Sequence, residues 1–112
     1  MDKLISVDMD GVIRDKMTDN PVRGALSALR SLEGMGFNIY IFTARKNLEE
    51  ARNWLKNNGF RDYHVTNRKN PSIAYIDDHA INFHNNWDEI VQKFLAATGH
   101  FDPTKNIYPE EN

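Results

Sequence analysis

The sequence predicts an α/β fold in which helices cover a parallel β-sheet, and two features point to it. Short apolar runs alternate along the chain with stretches whose apolar residues recur at helical spacing. The clearest of these runs end directly in polar residues. Strands that alternate with helices of this size are typical of βαβ units. We therefore expect a three-layer α/β/α arrangement with helices on both faces of the sheet.

Composition and charge exclude several classes of protein. The chain has 112 residues, enough for one domain, with 40% apolar and 27% charged residues, close to ordinary globular usage. A formal charge of −2 argues against a broad nucleic-acid-binding surface, and the lack of cysteine excludes disulfides and thiolate zinc sites. No apolar run is long enough for a secretory signal or a bilayer span. We therefore expect a soluble cytoplasmic protein with no membrane partner.

Four apolar runs are predicted to form the strands of the sheet. Strands of a parallel sheet are buried on both faces, so they are typically continuous apolar runs rather than alternating ones. The runs are rich in β-branched and aromatic residues, which favour strands. They lie at Leu4–Val7, Phe37–Phe42, Asp62–Val65 and Ser72–Ile76.

Three helices are predicted between and after these strands. Asn20 is a candidate cap for the first helix, with Pro21 at its first helical position. Asn47 and Glu50 resemble a capping box that would begin the second helix. The last helix would begin near Asn86, and its apolar residues recur at helical spacing. The glycines expected to end the first two helices are Gly34, Gly36 and Gly59.

Polar side chains follow three of the predicted strands, each where the strand ends. In open parallel sheets, ligands bind beyond the carboxyl ends of the strands, near the point where the strand order reverses. The polar residues should therefore gather along one edge of the sheet. They are Asp8 and Asp10 after the first strand, Thr43 and Arg45 after the second, and Asp77 and Asp78 after the fourth.

Asp8 and Asp10 are separated by one residue, so in an extended backbone their side chains would point to the same side. Two carboxylates about 4 Å apart repel by roughly 4 kcal/mol at an effective dielectric of about 20. That is a large share of the roughly 5–15 kcal/mol that holds a typical domain folded. A hard cation is the expected compensation.

These motifs, in this order and on these elements, resemble the haloacid dehalogenase superfamily of Mg²⁺-dependent phosphatases and phosphotransferases. The resemblance covers nearly the whole chain from Leu4 to the last helix and implies a Rossmann-like core. The matching motifs are VDMDGV at Val7–Val12, IFTAR at Ile41–Arg45, Lys69 ahead of the fourth strand, and YIDDHA at Tyr75–Ala80.

The resemblance implies a phosphatase that acts through an aspartyl-phosphate intermediate. Asp8 would be the nucleophile that attacks phosphorus, and Asp10 the general acid and then the base. The phosphate-binding residues would be Thr43, Ala44 and Lys69. Mg²⁺ would be held by Asp8, the backbone carbonyl of Asp10, and the acidic pair Asp77 and Asp78, of which either could be the direct ligand.

Each motif also has a structural interpretation. Asp-x-Asp-Gly is often a turn or a fragment of a calcium loop, although the later glutamate of an EF-hand is missing here. Asp77 and Asp78 could cap a helix. Thr43 could be a strand-end hydroxyl and Lys69 a solvated lysine. The functional interpretation is preferred because the structural ones would have to coincide in the order of the family motifs.

Larger members of the superfamily insert a cap domain that shields the site and selects the substrate. Residues 11–21 are a short loop and 44–69 hold only a helix and a strand, so no cap is expected. Residues 1–98 would form one phosphatase domain and 99–112 a tail. An open site suits a nucleotide, a phosphorylated nucleic-acid end or another large phosphorylated molecule. Alternatively, a neighbouring subunit of a homo-oligomer would serve as the lid.

Two arginines are candidate substrate contacts on the rim of this site, Arg14 and Arg45. An ion pair with an acidic neighbour is the alternative for Arg45. Two other functions are weighed against the phosphatase. One is a catalytically silent binding or regulatory domain that keeps the fold. The other is a phosphorylation receiver, which fits poorly because the third predicted strand ends in HVTN, without an acidic residue.

Overall fold

Five strands and three helices make up the regular structure in the computed structural model, which describes residues 3–68, 72, 74–77, 81–82 and 86–98. The strands are β1 (Leu4–Asp8), β2 (Asn38–Phe42), β3 (His64–Thr66), β4 (Ala74–Asp77) and β5 (Ile81–Asn82). The helices are α1 (Ala25–Gly34), α2 (Leu48–Asn57) and α3 (Trp87–Thr98). No helix in these ranges is long and apolar enough to cross a membrane.

The strands form one parallel sheet in the order β3-β2-β1-β4-β5. The chain runs from β1 outward to β3 and then returns to the other side of β1 to form β4. The strand order therefore reverses between β1 and β4, which is where open sheets of this kind bind their ligands. The predicted α/β fold with a parallel sheet is confirmed.

The core is built around the central strand β1. Ile5, Ser6 and Val7 are all buried, as expected for a strand covered on both faces. The Ser6 hydroxyl is satisfied by a hydrogen bond of 2.7 Å to the hydroxyl of Ser72. Fully burying an aliphatic side chain such as Ile5 contributes about 1.5–3 kcal/mol to stability. A rigid central strand therefore carries the residues that follow it.

Helix α1 begins later than the sequence predicted. The expected start at Asn20 and Pro21 is wrong, because these residues belong to an irregular loop that precedes the helix. Pro21 forms an isolated bridge with Arg14, and the Val22 N–H donates to the Ile13 carbonyl at 2.7 Å. The loop thus makes backbone hydrogen bonds within itself, and the helix begins only at Ala25.

Helix α2 begins as the sequence predicted. The Asn47 side chain accepts a hydrogen bond from the Glu50 N–H at 3.2 Å, which satisfies one of the free amides of the first turn. Gly59 follows the helix with a φ of 86°, a left-handed conformation that favours glycine.

Strand β5 was not predicted, since two residues are too short to give a pattern.

Helix α3 packs against α1, while α2 packs near β3. The Phe37 and Phe94 rings meet edge to face with centroids 5.3 Å apart. The buried indole of Trp87 donates to the Val12 carbonyl at 3.2 Å, which ties the start of α3 to the loop after β1. The predicted arrangement of helices on both faces stays a prediction, and the predicted tail, 99–112, lies outside the described residues.

Candidate active site

The ends of β1 and β4 bring two of the predicted acidic residues together. Val7 pairs with Ile76 in the parallel register, so the next residues, Asp8 and Asp77, end neighbouring strands side by side. Adjacent strands lie about 4.8 Å apart. The backbones of two acidic residues therefore lie side by side at the point where the strand order reverses.

Asp8 lies where the buried sheet meets solvent. Val7 and Met9 on either side of it are completely buried, whereas Asp8 is partly exposed. The Met9 N–H donates to the Phe42 carbonyl at 2.9 Å, which extends the β1–β2 pairing one residue past Asp8. The backbone that carries this carboxylate is thus held on both sides.

The chain turns immediately after Met9. The Met9 carbonyl accepts hydrogen bonds from Ile13 and Arg14, both at 2.9 Å, and the Gly11 N–H donates to the Arg14 carbonyl at 2.7 Å. Gly11 has a φ of 88°, as expected of a glycine in a sharp turn. Asp10 therefore leaves the line of the strand, so the extended backbone in which Asp8 and Asp10 would point to the same side does not continue through Asp10.

Asp10 is the centre of a set of ion pairs. Its Oδ1 accepts hydrogen bonds from Arg14 Nη1 at 2.9 Å and from Arg45 Nη2 at 3.2 Å. Arg14 Nε also donates to Asp19 Oδ1 at 2.5 Å, and Arg45 Nη1 donates to Glu50 Oε1 at 2.8 Å. We call these five residues the Asp10 network. Its three central side chains are 19–28% exposed, whereas Asp19 and Glu50 are more than 60% exposed.

The charges of the Asp10 network largely balance one another. Hydrogen bonding to Asp19, reinforced by Asp10, raises the pKa of Arg14 above its already high ordinary value, although burial opposes this. Two guanidiniums thus compensate the Asp10 carboxylate. A metal ion was expected in this role, and in the structure this part of the compensation comes from arginine.

Thr43 follows β2 beside this network. It is completely buried, its N–H donates to the Thr66 carbonyl at 2.9 Å, and its Oγ1 accepts from the Arg45 N–H at 3.2 Å. This is the geometry of a strand-end hydroxyl that shapes a turn. The hydroxyl proton is still a donor, so the predicted contact with phosphate stays a prediction. Ala44 is exposed, and its N–H makes no backbone hydrogen bond in the described part of the chain.

Three residues of this region were not predicted from the sequence to belong to the site. Glu50 was noticed as part of a capping box, and Asp19 gave no signal at all. Trp54 was assigned to the buried face of α2, but its indole Nε1 also donates to the Asp19 carbonyl at 3.0 Å. Contacts between residues 35 positions apart cannot be detected from the periodicity of one sequence.

The predicted metal ligands fit Mg²⁺ by their chemistry. Asp8 and Asp77 supply the hard carboxylate oxygens that Mg²⁺ prefers, and their backbones end side by side. Asp78, Lys69 and the side chain of Asp77 lie outside what the structure describes. Among the described residues, no group of three or more histidine or acidic side chains is placed to hold a metal ion. The metal site stays a prediction.

A cavity of about 430 Å³ lies elsewhere, between α2 and the start of β3. Buried Leu55, Phe60 and Tyr63 line it, together with charged side chains such as Arg52 and Lys56. None of the strand-end residues described above contributes to its wall. We therefore place the candidate active site at the strand ends, where the acidic residues meet, and not in this cavity.

Comparisons with known proteins bear on the fold alone. No protein-family model matches the chain, and no curated protein matches it. A solved structure from Bacteroides thetaiotaomicron, described as that of a conserved protein coded by a locus of this bacterium, superposes with a TM-score of 0.63. The match is 20% identical and covers 96% of this chain and 98% of that one. This similarity supports the α/β fold over nearly the full length of both chains.

Proposed function

We propose that the protein is a Mg²⁺-dependent phosphomonoester hydrolase that acts through an aspartyl-phosphate on Asp8. The observation that carries the proposal is the parallel register of β1 and β4, which ends both strands in an aspartate at the point of strand-order reversal. Asp10 and Thr43 follow β1 and its other neighbour, β2. Nucleophile, proton donor and phosphate ligand would thus lie within one short stretch of sheet edge.

In the first step, a carboxylate oxygen of Asp8 forms a bond to phosphorus while the bond from phosphorus to the ester oxygen breaks. Asp10 gives its proton to the departing oxygen. In the second step, Asp10 takes a proton from water as the water oxygen bonds to phosphorus and the bond from phosphorus to the Asp8 oxygen breaks. Inorganic phosphate leaves and Asp8 is regenerated. The partial exposure of both aspartates allows substrate and water to reach them.

Side chains and backbone groups around Asp8 would hold the phosphoryl group. The Thr43 hydroxyl and the Ala44 N–H are donors at the end of β2, and Lys69 would add a positive charge. Mg²⁺, held by Asp8, the Asp10 carbonyl and Asp77 or Asp78, would neutralise negative charge on the phosphoryl oxygens. These donors together suit one tetrahedral dianion.

The described rim gives no strong preference for a polyanion. The Asp10 network combines two guanidiniums with three carboxylates, so it carries one net negative charge. The substrate proposal therefore depends on the single phosphoryl group. A nucleotide, a phosphorylated nucleic-acid end and another large phosphorylated molecule all carry that group.

We further propose that the site has no cap domain. The chain between β1 and α1 consists of turns and isolated bridges, and the chain from β2 to residue 68 holds only α2 and β3. A large substrate, or a second subunit in a homo-oligomer, would then cover the site. A cytoplasmic location is part of the same proposal.

Hydrolysis of p-nitrophenyl phosphate tests the proposed function. We expect turnover with millimolar Mg²⁺, loss of turnover after chelation by EDTA, and recovery when Mg²⁺ is restored. A panel of nucleotides, sugar phosphates and phosphorylated oligonucleotides would then separate small from large substrates. A folded protein that releases no phosphate from any of them would contradict the proposal.

The competing interpretation is a catalytically silent domain of the same fold. It draws support from the Asp10 network, because a carboxylate held by two guanidiniums is also a common structural arrangement. The two interpretations differ in their response to beryllofluoride or vanadate with Mg²⁺. These phosphoryl mimics should inhibit a phosphatase of this kind and should have no site to occupy in a silent domain.

A further inference from the structure

Two guanidiniums converge on the same oxygen of Asp10. Arg14 and Arg45 both donate to Oδ1, at 2.9 and 3.2 Å. The other oxygen, Oδ2, has no hydrogen-bond partner within the described part of the chain. The side chain is 28% exposed, so solvent reaches part of it. One of its oxygens is thus held by two donors, and the other has no described partner.

This asymmetry decides which oxygen can carry a proton. A guanidinium has only donors, and it stays charged at any pH at which a protein is folded. Oδ1 faces two such donors and can only accept. A proton on Asp10 must therefore be on Oδ2.

We propose that Arg14 and Arg45 are positioning residues that hold Asp10 with Oδ2 directed at the reacting oxygen. The inference rests on the proposed phosphatase function and adds a role for two residues that the function itself does not require. When the bond between phosphorus and the ester oxygen breaks, the proton on Oδ2 moves to that oxygen. The electron pair of the broken bond stays with the leaving oxygen, and Asp10 becomes a carboxylate. Water later returns a proton to Oδ2.

The arginines are themselves held from outside. Arg14 donates to Asp19, whose carbonyl accepts from the Trp54 indole on α2. Arg45 donates to Glu50 in the first turn of the same helix. The loop after β1 thus holds one guanidinium and the start of α2 holds the other, and the Trp54 hydrogen bond joins the loop to the helix. Such double support is what keeps a catalytic side chain within a fraction of an ångström of its working position.

Direct contact between these arginines and the substrate is the rival role. Each guanidinium already donates to two carboxylates, which engages much of its donor set. Loss of a substrate contact would weaken substrate binding. Loss of a positioning role would slow the protonation of the leaving group. The two roles therefore give different kinetic results.

The experiment compares a poor and a good leaving group. Phenyl phosphate needs a proton on its departing oxygen, whereas 2,4-dinitrophenyl phosphate does not. We expect Arg14→Gln and Arg45→Gln to lower kcat/KM for phenyl phosphate by about tenfold to a hundredfold, and to change kcat/KM for the dinitrophenyl ester by less than about threefold. The ratio kcat/KM reports the first step, before Asp10 acts as the base. Asp10→Asn shows how large the difference between the two esters becomes when the proton donor is removed entirely. Arg52→Gln is the matched control, since Arg52 pairs with Glu49 on the exposed side of α2.

Melting temperatures of all variants show that folded proteins are compared. Equal losses of kcat/KM for both esters would overturn the positioning role and leave the phosphatase function intact. An Asp10→Asn variant that loses both activities equally would overturn it as well. Wild-type protein that hydrolyses neither ester would instead overturn the proposed function itself.

Discussion

Glu33 and Asp10 each accept hydrogen bonds from two side chains, but they use their two oxygens differently. Glu33 of α1 uses both oxygens: Oε1 accepts from the Tyr63 hydroxyl and Oε2 from Arg61 Nη1, each at 3.0 Å. We call these three residues the Glu33 cluster. Asp10 instead receives both of its donors on one oxygen.

The difference separates a structural carboxylate from a candidate catalytic one. The Glu33 cluster joins α1 to the segment before β3, and Tyr63 within it is only 7% exposed. Both oxygens of Glu33 are occupied, so little is left for a ligand. Oδ2 of Asp10 has no hydrogen-bond partner in the part of the chain that the structure describes. Similar residue types can thus serve packing in one place and chemistry in another.

The largest expected effect is on activity at Asp10. Asp10→Asn keeps the size of the side chain but removes the proton donor, so we expect phenyl phosphate turnover to fall about 10²- to 10⁴-fold. Glu33→Gln is the control and should keep turnover within about threefold of wild type. Steady-state kinetics with Mg²⁺ measures both. Equal losses of turnover in the two variants would show that the two carboxylates do not differ in their role.

The second effect is on stability at Glu33. Glu33→Ala removes the acceptor of a nearly buried tyrosine hydroxyl, and leaving such a group unpaired costs about 1–3 kcal/mol. Urea denaturation should show this loss in the free energy of unfolding, with turnover retained at a temperature where the variant is folded. A variant as stable as wild type would show that the cluster contributes little to the fold.

Local signals in the sequence predicted the frame of the molecule. The apolar run of β1 and the Asn47 cap of α2 depend on residues close in sequence, and both are present. The predicted start of α1 was wrong because Asn20 and Pro21 belong to a loop, in which they pair with the backbone of Asp15 and Arg14. That pairing competes with helix capping, and a propensity argument does not include it.

The place of the strand-end aspartates in the sheet could be predicted, but most of the ion pairs around Asp10 could not. Acidic residues after parallel strands located the edge, and the register of β1 and β4 brings two of them side by side. An ion pair of Arg45 with an acidic neighbour was one of its two predicted roles and is present, but Asp10 as its partner and the second arginine, Arg14, were not predicted. These ion pairs depend on the sharp turn at Gly11 and on a contact between Asp10 and Arg45 that spans 35 residues.

The third prediction concerns Mg²⁺ binding at the site edge. A metal that binds only the folded state stabilises it by RT ln(1 + [Mg²⁺]/Kd), about 1.4 kcal/mol at tenfold excess over Kd. Melting temperatures should therefore rise by several degrees with Mg²⁺ in wild type and in Glu33→Gln. Asp77→Asn should lose most of the rise. An identical rise in Asp77→Asn would place the metal elsewhere.

The smallest effect is the pH dependence of the Glu33 cluster. Burial, with the charge of Glu33, raises the pKa of Tyr63 well above its ordinary value of about 10. Above that pH the unfolded chain loses the tyrosine proton while the folded chain keeps it, so stability falls as the pH rises. At about pH 10.5 the loss from this residue is about 0.8 kcal/mol.

Tyr63→Phe isolates this contribution from the other groups that titrate at high pH. Urea denaturation between neutral pH and about pH 10.5 should show a steeper loss of stability in wild type than in Tyr63→Phe. Parallel pH profiles for the two proteins would mean that the hydroxyl ionises as easily in the folded state as in the unfolded one.

Chemical trapping of the phosphorylated residue tests the central claim most directly. The protein is quenched during turnover of p-nitrophenyl phosphate with Mg²⁺ and treated with borohydride, which reduces an acyl phosphate to an alcohol. The modified residue is then identified by mass spectrometry of its peptides. We expect the modified residue to be Asp8, and we expect Asp8→Asn to show neither the modification nor more than a small fraction of wild-type turnover. Continued phosphate release from wild type with Asp8 unmodified, or with another residue modified instead, would contradict the account.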